Sequence, residues 1–206
     1  MMSTTRYVLA KPAQKPSRKD PMANKITILR GDLTRLEVDV IVNAANQTLL
    51  GGGGVDGAIH RAAGHDLLAE CSALDGCETG QAKITDGHNL PAKHVIHTVG
   101  PVWGGGARRE PKLLASCYRN SFRLAREHDL RSLAFPAISC GIYRFPFEQA
   151  CRIALKETLA FIEAHPGALD EVIFCCFDQE AVERYEVAYA EIHRNPEPFS
   201  EKSQQG

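Results

Sequence analysis

Apolar residues recur along this chain in two rhythms, and the rhythms alternate. Residues 26–30 show the two-residue period of a strand, and the β-branched run at 38–42 predicts a buried one. A long loop at 43–54 follows, then a helix over 55–63 closed by Gly64 and another over 66–74 ending near Gly76. Strands at 82–85 and 94–99 are divided by the turn residues Asp86, Gly87 and Asn89. Pro111 opens a stronger helix, with Leu114, Cys117, Tyr118, Phe122 and Ala125 along one face. A short strand at 132–135 stops at Pro136, and a helix over 147–164 ends at His165-Pro166-Gly167. A buried strand at 171–177 and a helix over 180–193 complete the pattern. Strands alternating with helices specify an α/β fold, a largely parallel sheet between helical layers.

Open α/β sheets bind ligands outside the carboxyl ends of their strands. Four stretches rich in small or polar residues follow predicted strands: 31–34, 43–46, 51–56 and 137–145. If the strands are parallel, these stretches share one rim. The run Gly51 to Gly54 is the strongest local signal, because it abuts a helix start and offers backbone N–H groups at the positive end of a helix dipole. The same run contains Gly52-x-Gly54-x-x-Gly57, formally a dinucleotide fingerprint. That motif should follow its strand directly and be answered by an acid about 20 residues on. Here residues 43–50 intervene, and Asp75 falls at a helix end, so the fingerprint does not fit. A second loop, Ser139-Cys140-Gly141-Ile142-Tyr143, offers a hydroxyl, a glycine backbone and an aromatic ring. Two amide-rich loops facing one another would suit a diphosphate. Taken singly, the polar rim residues have plainer explanations. Asp32 could cap a short turn, Asn43 and Asn46 could be turn residues, and Asp56 could serve the helix dipole.

The 206 residues are 44% hydrophobic and 24% charged with a formal net charge of −1, ordinary for a globular protein. Charge is unevenly placed. Residues 1–25 hold six bases and one acid, so the remainder is acidic, and a duplex-DNA binder is not expected. The basic, proline-containing arm at 1–22 reads as a disordered extension, with targeting and nucleic-acid contact as alternatives. Residues 23–194 are expected to form one domain and 195–206 a polar tail. No apolar run approaches the ~20 residues of a membrane span. The seven cysteines are odd in number, lack a CxxC and sit mostly in apolar patterns, which predicts a reducing compartment, here the cytoplasm. His94 and His97 are three apart on a strand and so point to opposite faces. No metal site and no cofactor are expected.

The rim residues and their neighbours resemble the macrodomain family. The resemblance rests on Gly31-Asp32-Leu33-Thr34, on Val40 to Asn46, and on Leu50 to Gly64. It continues through His97-Thr98-Val99-Gly100-Pro101-Val102-Trp103 and Ala134 to Tyr143. It covers about residues 26–193 without a missing element. The run Asp56-Gly57-Ala58-Ile59-His60-Arg61-Ala62-Ala63-Gly64 is similar to the MacroD-type hydrolases, especially bacterial O-acetyl-ADP-ribose deacetylases. The resemblance implies a three-layer α/β/α fold with a mixed, largely parallel sheet of six or seven strands.

It also implies ADP-ribose as the ligand. Asp32 would accept from the adenine amine beside the Leu33 backbone, and Phe177 would flank the adenine. Gly52, Gly53, Gly54 and Val55, with Ser139, Cys140, Gly141, Ile142 and Tyr143, would hold the diphosphate. Asn43 belongs to the same substrate-binding set. Asn46 would bond the distal ribose, Tyr143 would pack on it, and Asp56 would ready the attacking water, making Asp56 and Asn46 the catalytic candidates. Cys140 and Arg144 depart from the usual pattern and would add a thiol and a cation to the second loop. The resemblance thus implies a hydrolase of O-acetyl-ADP-ribose, with mono-ADP-ribosyl esters of acidic protein side chains as a further substrate class; a monomer is expected. The alternative is a reader that binds ADP-ribose without catalysis, since a fold alone does not separate the two.

Overall fold

The computed structural model describes residues 25–194, so the expectations for the arm at 1–22 and the tail at 195–206 fall outside the described residues. Six strands form one sheet: β1 (Ile26–Arg30), β2 (Val40–Ala45), β3 (Ala82–Asp86), β4 (His94–Val99), β5 (Ser132–Phe135) and β6 (Glu171–Cys176). Their order is β1-β6-β5-β2-β4-β3. Neighbours run parallel except for β3 against β4. The antiparallel edge follows from its short connection. Gly87 N–H donates to the Lys93 carbonyl at 2.7 Å, and a Cβ at Gly87 would lie 1.9 Å from the Ala92 oxygen.

Five helices cover the two faces: α1 (Gly54–Ala63), α2 (His65–Ala73), α3 (Glu110–Glu127), α4 (Phe147–Ala164) and α5 (Gln179–Arg194). Alternation along the strands sorts the core. Val40 and Val42, Leu133 and Phe135, and Val172 and Phe174 pack with α3, α4 and α5. Ile41, Ala134 and Ile173, between them, pack with α1 and α2. Central strands buried on both faces need apolar side chains at every position, which is why their sequences read as continuous runs. The expected α/β sheet between helical layers is therefore present, with six strands. Among the described residues no helix is long and apolar enough to cross a membrane.

Several element ends differ from the sequence expectation by a few residues, and three differences bear on the rim. β2 starts at Val40 and runs through Asn43, Ala44 and Ala45, which the pattern assigns to a loop. These residues are poor strand formers, but they pair with His97, Thr98 and Val99 of β4, so the ladder overrides propensity. β6 stops at Cys176, leaving Phe177 outside the sheet. Residues Leu33–Arg35 wind a short 3-10 turn that the pattern does not mark.

At the amino ends of the strands, opposite the rim, one carboxylate ties three segments. Asp39 accepts from Lys93 Nζ at 2.7 Å, the Arg131 and Ser132 amides at 2.9 and 3.0 Å, and the Ser132 hydroxyl at 3.1 Å. Burial pushes its pKa up, but these donors together outweigh burial and hold it at about 2. The group thus contributes stability that is present above its unfolded pKa of ~3.9 and lost as pH falls through about 2. Asp39→Ala should lose about 1–3 kcal/mol at neutral pH in urea unfolding. The difference from wild type should shrink as the pH is lowered from 4 toward 2.

Candidate active site

The carboxyl ends of β1 and β6 bring Asp32 and Phe177 together. Gly31 N–H donates to the Cys176 carbonyl at 3.0 Å, so the residues following the two strands leave the sheet side by side. Asp32 caps the 3-10 turn, its Oδ1 accepting from the Thr34 amide at 3.0 Å and hydroxyl at 2.7 Å. The plain capping account is correct, and the half-exposed carboxylate keeps lone pairs for a ligand. Phe177 is 93% exposed, an aromatic face without a protein partner to cover it. The Leu33 side chain is in the core under α1, so only its backbone can serve the rim.

The glycine run behaves as its sequence predicts. Gly53 is the residue before α1, and no side chain caps that helix. Among the described residues no protein acceptor meets the N–H groups of Gly52, Gly53, Gly54 or Val55. Gly52, Gly53 and Gly54 are exposed, which leaves these donors for an anion. The loop 139–143 stands opposite: a Cβ placed on Gly53 would lie 3.4 Å from Ile142 Cδ1. Gly141, Ile142 and Tyr143 likewise keep amides with no protein acceptor, while Arg144 and Phe145 turn theirs back onto Gly141 and Ser139.

Two members of that loop are not placed as expected. The Ser139 hydroxyl is buried without a partner and lies against Gly100, where a Cβ would come within 2.1 Å of it. A positive φ of 64° turns this side chain inward, so only its backbone is left for a phosphate. The Cys140 thiol donates to the Ile138 carbonyl at 3.5 Å. Burial, aided by Glu148, pushes it up to about 12, so it stays protonated and poorly reactive at neutral pH.

Asp56 sits in the first turn of α1, 3% exposed. Its Oδ1 accepts from Asn43 Nδ2 at 2.7 Å, with His60 Nε2 3.5 Å away. Its Oδ2 has no protein donor. That oxygen lies 3.0 Å, and Asn46 Nδ2 3.2 Å, from the point where a side chain on Gly52 would begin. Asp56, Asn46 and Gly52 therefore meet at the edge of the cleft. Asn46 also shapes its own loop, Oδ1 accepting from the Thr48 amide and hydroxyl and Nδ2 donating to the Gly51 carbonyl at 2.8 Å. One hydrogen remains on Nδ2. Asn43 is wholly buried beneath Asp56, so it supports the site from below and does not reach the rim as a substrate contact.

The sequence reading missed what lies under Asn43. The same Nδ2 is 3.1 Å from His97 Nδ1, and His97 Nε2 is 2.9 Å from the Thr85 hydroxyl and 3.6 Å from Cys71 Sγ. Burial, with His60 nearby, pushes the His97 pKa down to about 3 and keeps the ring neutral. His60, Cys71 and His97 bring potential ligand atoms within 4.8 Å of one another. Hydrogen bonding accounts for both His97 nitrogens, and burial keeps Cys71 protonated up to about 11, so His97 and Cys71 belong to a hydrogen-bonded cluster beside which His60 Nε2 is buried without a partner. A second missed feature is the segment after β4. Glu110 gathers the amides of Gly104, Gly106 and Arg108, and Trp103 N–H donates to the Tyr143 carbonyl at 2.8 Å, which ties this segment to the second loop. Asn43 and His97, 54 positions apart, and Trp103 and Tyr143 meet only through the packing of separate segments, which leaves no local pattern to read.

The family described as Macro domain matches residues 42–154. A Macro domain-containing protein of Mesorhizobium japonicum is 55% identical over 171 residues, covering 83% of this chain and 97% of its own length. Human ADP-ribose glycohydrolase MACROD2 is 55% identical over 162 residues, 77% of this chain and 38% of that protein. Among solved structures, the Trypanosoma brucei macrodomain in complex with ADP-ribose is 47% identical with a TM-score of 0.80, covering 84% of this chain and 72% of that one. The Oceanobacillus iheyensis macrodomain with ADP is 36% identical with a TM-score of 0.79, covering 85% and 95%.

The loop and α1 are pressed together at Gly57, where a Cβ would lie 2.4 Å from the Gly52 carbonyl oxygen. Helix propensity alone favours alanine at that position by about 1 kcal/mol. The contact is with backbone and cannot rotate away, so overpacking wins. Gly57→Ala should cost about 1–3 kcal/mol in urea unfolding. Gly141→Ala, with nothing within 4 Å, should stay within about 0.5 kcal/mol of wild type.

Proposed function

Since this chain belongs to the macrodomain family, we propose that its rim cleft binds ADP-ribose and hydrolyses esters of it, O-acetyl-ADP-ribose first among them. In this reading the adenine lies between Phe177 and the half-exposed Asp32 carboxylate, which accepts from the exocyclic amine. The open amides at Gly52–Val55 and at Gly141–Tyr143 receive the diphosphate from two sides. Tyr143 packs on the distal ribose, and the remaining hydrogen on Asn46 meets one of its oxygens. A water beside Asp56 attacks the acetyl carbonyl carbon. Asp56 Oδ2 takes the water's proton, the bond from carbonyl carbon to ribose oxygen breaks, and the proton passes to the ribose oxygen. Acetate and ADP-ribose leave. Mono-ADP-ribosyl esters of protein aspartate or glutamate present the same bond and are the second substrate class.

The observation that carries the reading is the Oδ2 of Asp56, a carboxylate oxygen without a protein donor, set beside the open amides that begin α1. A carboxylate so buried should bind a donor, and a water aligned by the sugar above it is the donor the reaction needs. The same burial favours a second reading. At 3% exposure Asp56 could be a structural acid inside a non-catalytic ADP-ribose reader.

Acetate release from O-acetyl-ADP-ribose, measured beside calorimetric titration of ADP-ribose, separates the two. The hydrolase reading expects turnover that falls about 10²–10⁴-fold in Asp56→Asn, with ADP-ribose affinity kept within about threefold, since the amide is isosteric and the diphosphate amides are untouched. A wild-type protein that binds ADP-ribose and releases no acetate is a reader. One that binds no ADP-ribose defeats both.

A further inference from the structure

Asp56 can be a useful base only if its free oxygen is held in one direction, and that direction is set from beneath. The carboxylate is anchored by a single amide, Asn43 Nδ2 to Oδ1 at 2.7 Å. An asparagine amide can turn end for end, which would place its oxygen against the carboxylate. The carboxylate itself opposes this, and the second hydrogen on Nδ2 holds the amide from the other side. That hydrogen points to His97 Nδ1 at 3.1 Å, which must therefore be the unprotonated ring nitrogen. The ring proton then sits on Nε2 and goes to the Thr85 hydroxyl at 2.9 Å, whose own hydrogen is directed to the Val95 carbonyl at 3.5 Å. Reversing any link of this chain leaves two donors or two acceptors face to face, while Asn43 Oδ1 stays buried without a donor. The four side chains come from β3, β4, β2 and α1, and none is more than 3% exposed. The other groups against His97 are the protonated Cys71 thiol at 3.6 Å and the His60 ring, its centroid 6.3 Å away.

We propose that His97 and Thr85 are positioning residues for the hydrolysis: they lock the Asn43 amide and, through it, aim the free Asp56 oxygen at Gly52 and the cleft. This rests on the hydrolase reading of the same site. Neither residue reaches the cleft, so neither contributes to holding the nucleotide. Their role is confined to the direction of the base. The low pKa of His97, a consequence of burial, keeps the ring neutral, so that one of its nitrogens remains an acceptor for Asn43.

The test compares wild type, His97→Leu, His97→Gln and Thr85→Val for acetate release from O-acetyl-ADP-ribose, with ADP-ribose affinity by calorimetry. Glutamine can accept from Asn43 with its oxygen and donate to Thr85 with its nitrogen, so it should keep the chain. His97→Leu should lower kcat about 10- to 100-fold, the range seen when outer partners that orient metal-site ligands are removed, with ADP-ribose affinity within about twofold. His97→Gln should recover most of that loss. Thr85→Val, which leaves His97 Nε2–H without its acceptor, should lower kcat severalfold, again without loss of affinity. It decides the matter if His97→Leu does not fold. A folded His97→Leu with kcat within twofold of wild type, a glutamine variant as impaired as the leucine one, or losses shared equally by affinity and kcat overturn the proposal. Wild type without turnover defeats the hydrolase reading itself, whereas active wild type with unaffected variants defeats the positioning role alone.

Discussion

A carboxylate taken almost wholly out of water must be met by donors, and at Asp56 the protein supplies only one, the amide of Asn43. This single bond links the first turn of α1 to the interior of β2. Pairing with β4 carries β2 through Asn43 and so holds this amide in the interior. Satisfying the buried amide requires a partner on each side, Asp56 above and His97 below. An unpartnered amide or carboxylate at this depth would cost about 1–3 kcal/mol or more. The polar column is therefore constrained by stability as well as by chemistry, and of its two unmet oxygens, Asn43 Oδ1 and Asp56 Oδ2, the second is the one set beside Gly52 and the cleft.

Around that column the cleft is made mostly of backbone. Small residues allow two chain segments to approach closely, and the positions at which a Cβ would collide mark where approach is required. Gly57 rests on the Gly52 carbonyl, and Gly100 rests on Ser139. The first contact seats the glycine run on α1, and the second joins the segment after β4 to the loop after β5. Trp103 and Glu110 extend this bracing, because Trp103 bonds Tyr143 and Glu110 ties its own loop to the start of α3. The open amides at Gly52–Val55 and Gly141–Tyr143 are thus held by packing, with little conformational freedom left to lose on meeting an anion.

Much of this was legible in the chain. The alternating rhythms predict every strand and helix of the sheet and its two covers, with ends displaced by a few residues at most. The glycine run, the acid two residues into the following helix and the aromatic after β6 all announce a ligand rim. Two assignments shifted for one reason. Asn43 and Ser139 carry polar groups that suit a rim, and both turn theirs inward. Sequence specifies which groups a residue carries, while the side on which they emerge depends on strand register and on local φ.

Periodicity and turn chemistry act over a handful of residues, so the sequence by itself determined the elements, the covered sheet, the glycine-rich helix start and the acid at position 56. The support of that acid was decided only by tertiary structure. His97 lies 54 residues after Asn43, and Thr85 12 residues before His97, on strands whose neighbours are set by β-pairing. A hydrogen bond between groups so separated has no local signature. It arises when register and layer packing bring four buried side chains into one line, and burial then leaves each donor a single acceptor to choose.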